Sequence, residues 1–186
     1  MNTTSPLSLS GVPERGKINM KKLYFVIGAS GAGKTTATRA LEKKRTDIQF
    51  CFPDKEHKIP SVEEMIKEYG NTSNWQKAKT IEWVKNIKGK YLNEKPVVLD
   101  MQTRYEFIEI ACKENNIDNY KVILFDCEDL IRNKRIHTRG QPYLVNPDMD
   151  NWARFLREDS KKRNVEIMDT SNIPIEEMGN VLEKVL

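Results

Sequence analysis

Apolar residues in this chain fall into short runs, separated by longer stretches where they recur every three or four positions. Leu23–Ile27, a continuous apolar run, reads as a buried parallel strand, and Ile48–Phe52, Val97–Leu99, Val122–Phe125 and Val165–Met168 read as the other strands, the second and fifth each interrupted by one polar residue. The intervening patterns read as helices: 36–44; Ser61 as N-cap through Val62, Met65, Ile66 and Tyr69 to a stop at Gly70; and Asn74 to about Tyr91. In the last of these, Trp75, Ala78, Ile81, Val84 and Ile87 share one face, and Gly89 is expected to weaken its end. Further helices are expected around 103–115, 129–138, 150–163 and 175–185. Strands alternating with helices predict an α/β domain, a parallel sheet covered on both faces. Its chemistry then belongs at the carboxyl ends of the strands.

Residues 1–19 break this pattern. They are polar and rich in Ser, Pro and Gly, without the apolar stretch of a signal peptide. They read as a disordered tail or an expression remnant, with one domain over 20–186.

The first strand leads into Gly28-Ala29-Ser30-Gly31-Ala32-Gly33-Lys34-Thr35, a full match to G-x-x-x-x-G-K-[ST]. Between a strand and a helix, this octet reads as a phosphate-binding loop for ATP or GTP. Its glycines, Gly28, Gly31 and Gly33, let backbone N–H groups turn inward where side chains would block the phosphates. The helix start adds unpaired amides and the positive dipole end. Lys34 is expected on the β- and γ-phosphates, Thr35 on a bridging Mg2+, and Thr36 on a further phosphate or else on the helix surface. Ser30 and Ala32 complete the cradle.

Other candidates follow the remaining strands. Asp100 ends Pro96-Val97-Val98-Leu99-Asp100 and reads as a Mg2+ ligand, or as a cap for the next helix. Asp54, after the second strand, reads as the base and acceptor contact, or as a turn residue after Pro53. Glu56 and His57 are its neighbours. Arg104, expected on the first helical turn, is unfavourable toward the dipole there and so reads as facing an anion on the substrate, or as a salt-bridge partner within the fold. Arg132, Arg135 and Arg139 recur at helical spacing beside Gly140-Gln141-Pro142, with Leu144–Asp150 as a mobile connection. They suit a lid over phosphates, with Arg135 and Arg139 inward, or else a solvated helix face. Ser171 and Asn172 either border the adenine or form the turn into the last helix. Trp75, Trp83 and Trp152 read more as core than as stacking platforms.

Composition narrows this. Over 186 residues, 38% are hydrophobic and 31% charged, with a net charge of +4. That is a polar-surfaced domain with too little basic excess to argue for nucleic acid. Cys51, Cys112 and Cys127 form no metal spacing with His57 or His137 and are expected as core thiols in a reducing cytoplasm. No run approaches the ~18 apolar residues of a membrane helix.

The loop Gly28–Thr35, the carboxylates Asp54 and Asp100, and the segment Arg132–Arg139 together resemble the small P-loop kinases of the nucleoside and nucleotide kinase type. That group includes gluconate, shikimate, adenylate and chloramphenicol kinases. Arg139–Tyr143 with Asn151–Arg157 resembles bacterial members of this superfamily whose acceptor is unassigned. The resemblance spans about residues 20–186. It implies a three-layer P-loop NTPase fold, with a five-stranded parallel sheet in order 2-3-1-4-5 and an arginine lid over 132–150. It also implies an acceptor-binding helical segment over 55–92, with Asp54 as base. The region after the second strand lacks a paired Asp-x-Asp, and 55–92 match no substrate signature. The expected activity is transfer of the γ-phosphoryl group of ATP, with Mg2+, to a small molecule, nucleoside or nucleotide first. A polynucleotide 5′-hydroxyl kinase and a nucleotide-binding regulator without transfer chemistry are the alternatives. Oligomeric state is not legible.

Overall fold

The computed structural model describes residues 20–186, so the expectation for 1–19 lies outside the described residues. Five strands, β1 (Leu23–Ile27), β2 (Gln49–Cys51), β3 (Val97–Asp100), β4 (Tyr120–Asp126) and β5 (Glu166–Asp169), form one sheet in the order β2-β3-β1-β4-β5. Every pairing is parallel, with Phe25 opposite both Leu99 and Val122. All residues of β1 and β3 are buried, as their uninterrupted apolar runs require.

Among the described residues, eight α-helices accompany the sheet: α1 (Lys34–Glu42), α2 (Pro53–Glu56), α3 (Val62–Tyr69), α4 (Thr72–Lys90), α5 (Tyr105–Glu114), α6 (Asp129–Thr138), α7 (Pro147–Lys162) and α8 (Met178–Glu183). Alternate residues of β1 supply two cores. Leu23, Phe25 and Ile27 pack with Val84 and Ile87 of α4 and Ile108 of α5. Tyr24 and Val26 pack with Ala37 and Leu41 of α1 and Leu182 of α8. Cys51, Cys112 and Cys127 are buried and free. Among the described residues no helix is long and apolar enough to cross a membrane.

Departures from the expected boundaries have local causes. The α4 helix starts at Thr72 rather than Asn74, because the Asn71 side chain accepts from the Asn74 N–H at 2.8 Å and caps it. It runs through Gly89 to Lys90, since the lost propensity of one glycine is small beside the packing of Val84 and Ile87. Arg104 is the N-cap of α5, in extended backbone, and not on its first turn. The stretch Leu144–Asp150 is largely ordered: a 3-10 turn spans Pro142–Leu144 and α7 begins at Pro147. Here Asn146 caps the helix, accepting from the Met149 N–H at 2.9 Å, and Pro147 follows at N1. The final helical pattern divides into a 3-10 turn at Ile175–Glu177 and the short α8.

Candidate active site

The glycine loop links the carboxyl end of β1 to α1, and its conformation is dictated from behind as well as from the ligand side. Gly28 and Gly31 have φ of 150° and 85°. A Cβ on Gly28 would lie 2.2 Å from the Phe125 carbonyl oxygen. One on Gly31 would lie 2.9 Å from the Arg132 side chain and backbone. The loop is thus pressed against β4 and α6, a requirement for glycine additional to phosphate access. Ala32 faces the protein too: its N–H donates to the Ala29 carbonyl at 3.2 Å, and its carbonyl accepts from the Thr170 hydroxyl at 2.8 Å.

Lys34 is buried, and its ammonium donates to the Gly28 carbonyl at 2.6 Å. Burial lowers its pKa, an effect opposed by the carboxylates of Asp100 and Asp54. Asp100, at the end of β3, accepts from the Thr38 hydroxyl at 3.0 Å. It therefore braces α1 and does not cap α5. Thr38 lies one turn beyond Lys34, so the i, i+4 spacing places it on the same helix face, while its bond to Asp100 comes from the packing of α1 on β3.

Asp54 belongs to α2, where Pro53 occupies the first position. Its carboxylate accepts from the Gln102 N–H at 2.8 Å. The Gln102 carbonyl in turn accepts from the Gln76 side chain of α4 at 3.0 Å. Burial pushes the Asp54 carboxyl up, while the Gln102 N–H and the charge of Lys34 pull the other way. Gln102, which holds the Asp54 carboxylate, was not singled out by the sequence; its only signal was its place just past Asp100.

Lys34, Thr35, Asp54, Asp100 and Arg139 line one cleft of about 380 Å³, with Ser30 and Thr36 at its edge. The three arginines of the 132–139 segment diverge. Arg132 is fully buried and paired with Asp150. Arg135 donates to the Thr170 hydroxyl at 3.0 Å and carbonyl at 2.7 Å. It borders a second cavity of about 470 Å³ that also meets Gly31, Gly33, Ile131, Ile175 and Met178. Arg139 borders both cavities. Because α6 packs its inner face on the glycine loop, these residues are fixed to different surroundings rather than aligned on one free face.

Other candidates are placed away from the cleft. Arg104 lies against the rings of Trp152 and Phe155, at 5.5 and 4.8 Å, and borders neither cavity. Ser171 closes its own turn, donating to Asp169 at 2.6 Å and accepting from the Glu128 N–H at 2.9 Å. Asn172 is exposed, and neither it nor Ser171 lines the second cavity. Glu56 accepts from the Phe52 N–H at 3.3 Å, and His57 stacks on Trp83 at 6.3 Å.

No family model matches the chain, and no curated protein matches it by sequence. Solved structures do. A shikimate kinase from Acinetobacter baumannii superposes with a TM-score of 0.61 at 15% identity, covering 90% of this chain and 93% of that one. This is the P-loop kinase fold. A deoxyadenosine kinase from M. mycoides gives a TM-score of 0.58 at 14% identity, covering 88% of this chain and 97% of its own. A gluconokinase from Sinorhizobium meliloti 1021 gives 0.57 at 14%, covering 86% and 88%. The P-loop kinase fold accounts for the strand order β2-β3-β1-β4-β5, with the glycine loop after the central strand.

Proposed function

We propose that this protein is an ATP-dependent phosphotransferase acting on a small-molecule hydroxyl. The observation that carries this reading is the convergence of Lys34, Asp54, Asp100 and Arg139 on one cleft at the mouth of the glycine loop. Shikimate, gluconate and deoxyadenosine kinases sharing the fold support it.

The loop amides and Lys34 hold the phosphate chain, with the lysine as a point charge on its outer end. The adjoining cavity, walled by Ile131, Ile175 and Met178, suits the flat base, with Arg135 at its edge. The acceptor hydroxyl attacks the γ-phosphorus in line. Its proton passes to Asp54, the bond from the γ-phosphorus to the β–γ bridging oxygen breaks, and ADP departs with that oxygen. Arg139 meets the charge that spreads over the transferring group.

The donor set at Thr35 and Asp100 fits a hard cation. One Asp100 oxygen takes the Thr38 hydrogen bond, leaving the other free of hydrogen bonds among the described residues. Mg2+ keeps waters and substrate phosphates as ligands, so two protein oxygens suffice there. When bound there, Mg2+ would supply charge neutralisation on the phosphates. A reducing cytoplasm, in which the three buried thiols remain free, completes the reading.

The test is ATP-dependent phosphorylation across nucleosides, nucleotides, sugars and hydroxyl-bearing antibiotics, with wild type and the Lys34→Ala, Asp54→Asn and Asp100→Asn variants. Each variant should lose transfer. Variants as active as wild type in hydrolysis or transfer would leave a nucleotide-binding regulator as the reading.

A further inference from the structure

Beyond the phosphate cleft, α3 and α4 enclose a second trough of about 330 Å³, which shares Ile59 and Trp75 with the cleft. Its walls carry the rings of Trp75, Trp83, Tyr69 and His57. The indole N–H of Trp75 is buried without a hydrogen-bond partner. Ile59, half exposed, stands at the shared edge, and Tyr143 and Leu144 border the cleft. A flat ring is what such a trough accommodates.

Its charges do not favour an anion. Carboxylates outnumber lysines three to two on the lining, and no arginine is present there. Lys79 is paired with Glu82 at 2.7 Å. Glu64 is already accepting from the Ser61 N–H at 2.7 Å. Arg104, the cation expected to meet a substrate phosphate or carboxylate, is held instead against Phe107, Trp152 and Phe155. Recognition of an acidic acceptor calls for an uncommitted guanidinium or several free ammonium groups; Lys58 alone remains without an ion-pair partner on this lining.

We infer that the acceptor is a hydroxyl compound bearing a flat ring and no anionic group, seated in the trough lined by Trp75 and Trp83. An unphosphorylated nucleoside or an aryl alcohol belongs to this class; a sugar acid or a nucleoside monophosphate does not. This rests on the phosphotransferase reading and narrows it. The acceptor O–H gains the γ-phosphoryl group and loses its proton to Asp54, as above.

The experiment compares four matched acceptor sets with ATP: nucleosides and aryl alcohols, nucleoside 5′-monophosphates, sugar acids, and neutral sugars. Transfer is measured alongside quenching of tryptophan fluorescence in a Trp152→Phe background, so that the signal comes from Trp75 and Trp83. The first set should be phosphorylated at least about 10-fold more efficiently than the others. Trp83→Ala, which removes an aromatic wall of the trough and the ring on which His57 stacks, should raise the acceptor KM by roughly 10-fold, with the KM for ATP unchanged. Preferred transfer to monophosphates, sugar acids or neutral sugars would overturn the acceptor class and leave the kinase reading standing. So would an acceptor KM indifferent to Trp83→Ala. ATP bound by wild type, with no ring compound either quenching or phosphorylated, overturns it as well. Failure of wild type to bind ATP at all would instead remove the phosphotransferase reading beneath it.

Discussion

Replacing Asp150 should harm this protein more than replacing the buried arginine it pairs with. Arg132 has no exposed surface, and its Nε and Nη1 atoms make no hydrogen bond. Its compensation comes from Asp150, with Asp129 farther off at 3.7 Å. Asp150→Ala leaves a buried cation almost unpaired, which costs about 3–5 kcal/mol for a fully buried pair. The Asp150 side chain is 36% exposed, so water entering from that side reduces the expected loss to about 2 kcal/mol. For a domain of this size, that lowers Tm by about 4–8 °C. Arg132→Met keeps the aliphatic stem packed behind Gly31 while removing the charge, and should cost less than about 1 kcal/mol. The double variant should be no less stable than Arg132→Met alone. Urea titrations of the four proteins close the cycle. An Arg132→Met protein less stable than Asp150→Ala, or additive losses in the double variant, would refute the view that the burden is an uncompensated charge.

Asp54→Asn tests burial of the carboxylate proposed as the base. Because the carboxyl is held above its ordinary range by burial, the folded protein binds that proton more tightly than the unfolded chain. The resulting stabilisation is whole below the unfolded carboxyl value of about 3.9 and is lost as pH rises through the higher folded value. Asp54→Asn should therefore melt above wild type at pH 7, with the gap closing by pH 3, while transfer falls about 10²–10⁴-fold; a gap that does not change with pH is the contrary result. Gly28→Ala should destabilise by about 2–5 kcal/mol, since its Cβ meets a backbone oxygen at 2.2 Å in a conformation unsuited to alanine. Gly89→Ala, with nothing within 4 Å, should stabilise α4 by about 0.5–1 kcal/mol. Chemical denaturation of the two variants should show shifts of opposite sign.

The parts of this molecule that sequence exposed are those whose residues answer to local rules. Buried strands announce themselves as unbroken apolar runs, so β1, β3 and β4 were plain. The octet Gly28–Thr35 carries its own geometry, and Ser61 with Glu64 forms the capping box that its spacing suggests. What stayed hidden depended on tertiary direction. Periodicity placed Arg132, Arg135 and Arg139 along one side, but only the packing of α6 on Gly31 decides that Arg132 is buried and Arg139 reaches the cleft. Arg104 was a cation near a strand end; the rings that hold it come from α5 and from α7, far along the chain. The Asn146-Pro147-Asp148 signal for a helix start was local and present, yet the preceding glycine and proline gave the stretch the look of a loop.

Register also sets when the site can exist. Lys34 follows β1, Asp54 follows β2 and Asp100 closes β3, so their meeting requires Phe25 beside Leu99 and Cys51 on the other side of Leu99. Those partners are remote in sequence, and such parallel pairings form slowly, whereas α4 with its own cap can form in about a microsecond. During refolding, helical signal should return ahead of nucleotide affinity. On the phosphotransferase reading, affinity for ATP then serves as a clock for the closing of the central three strands.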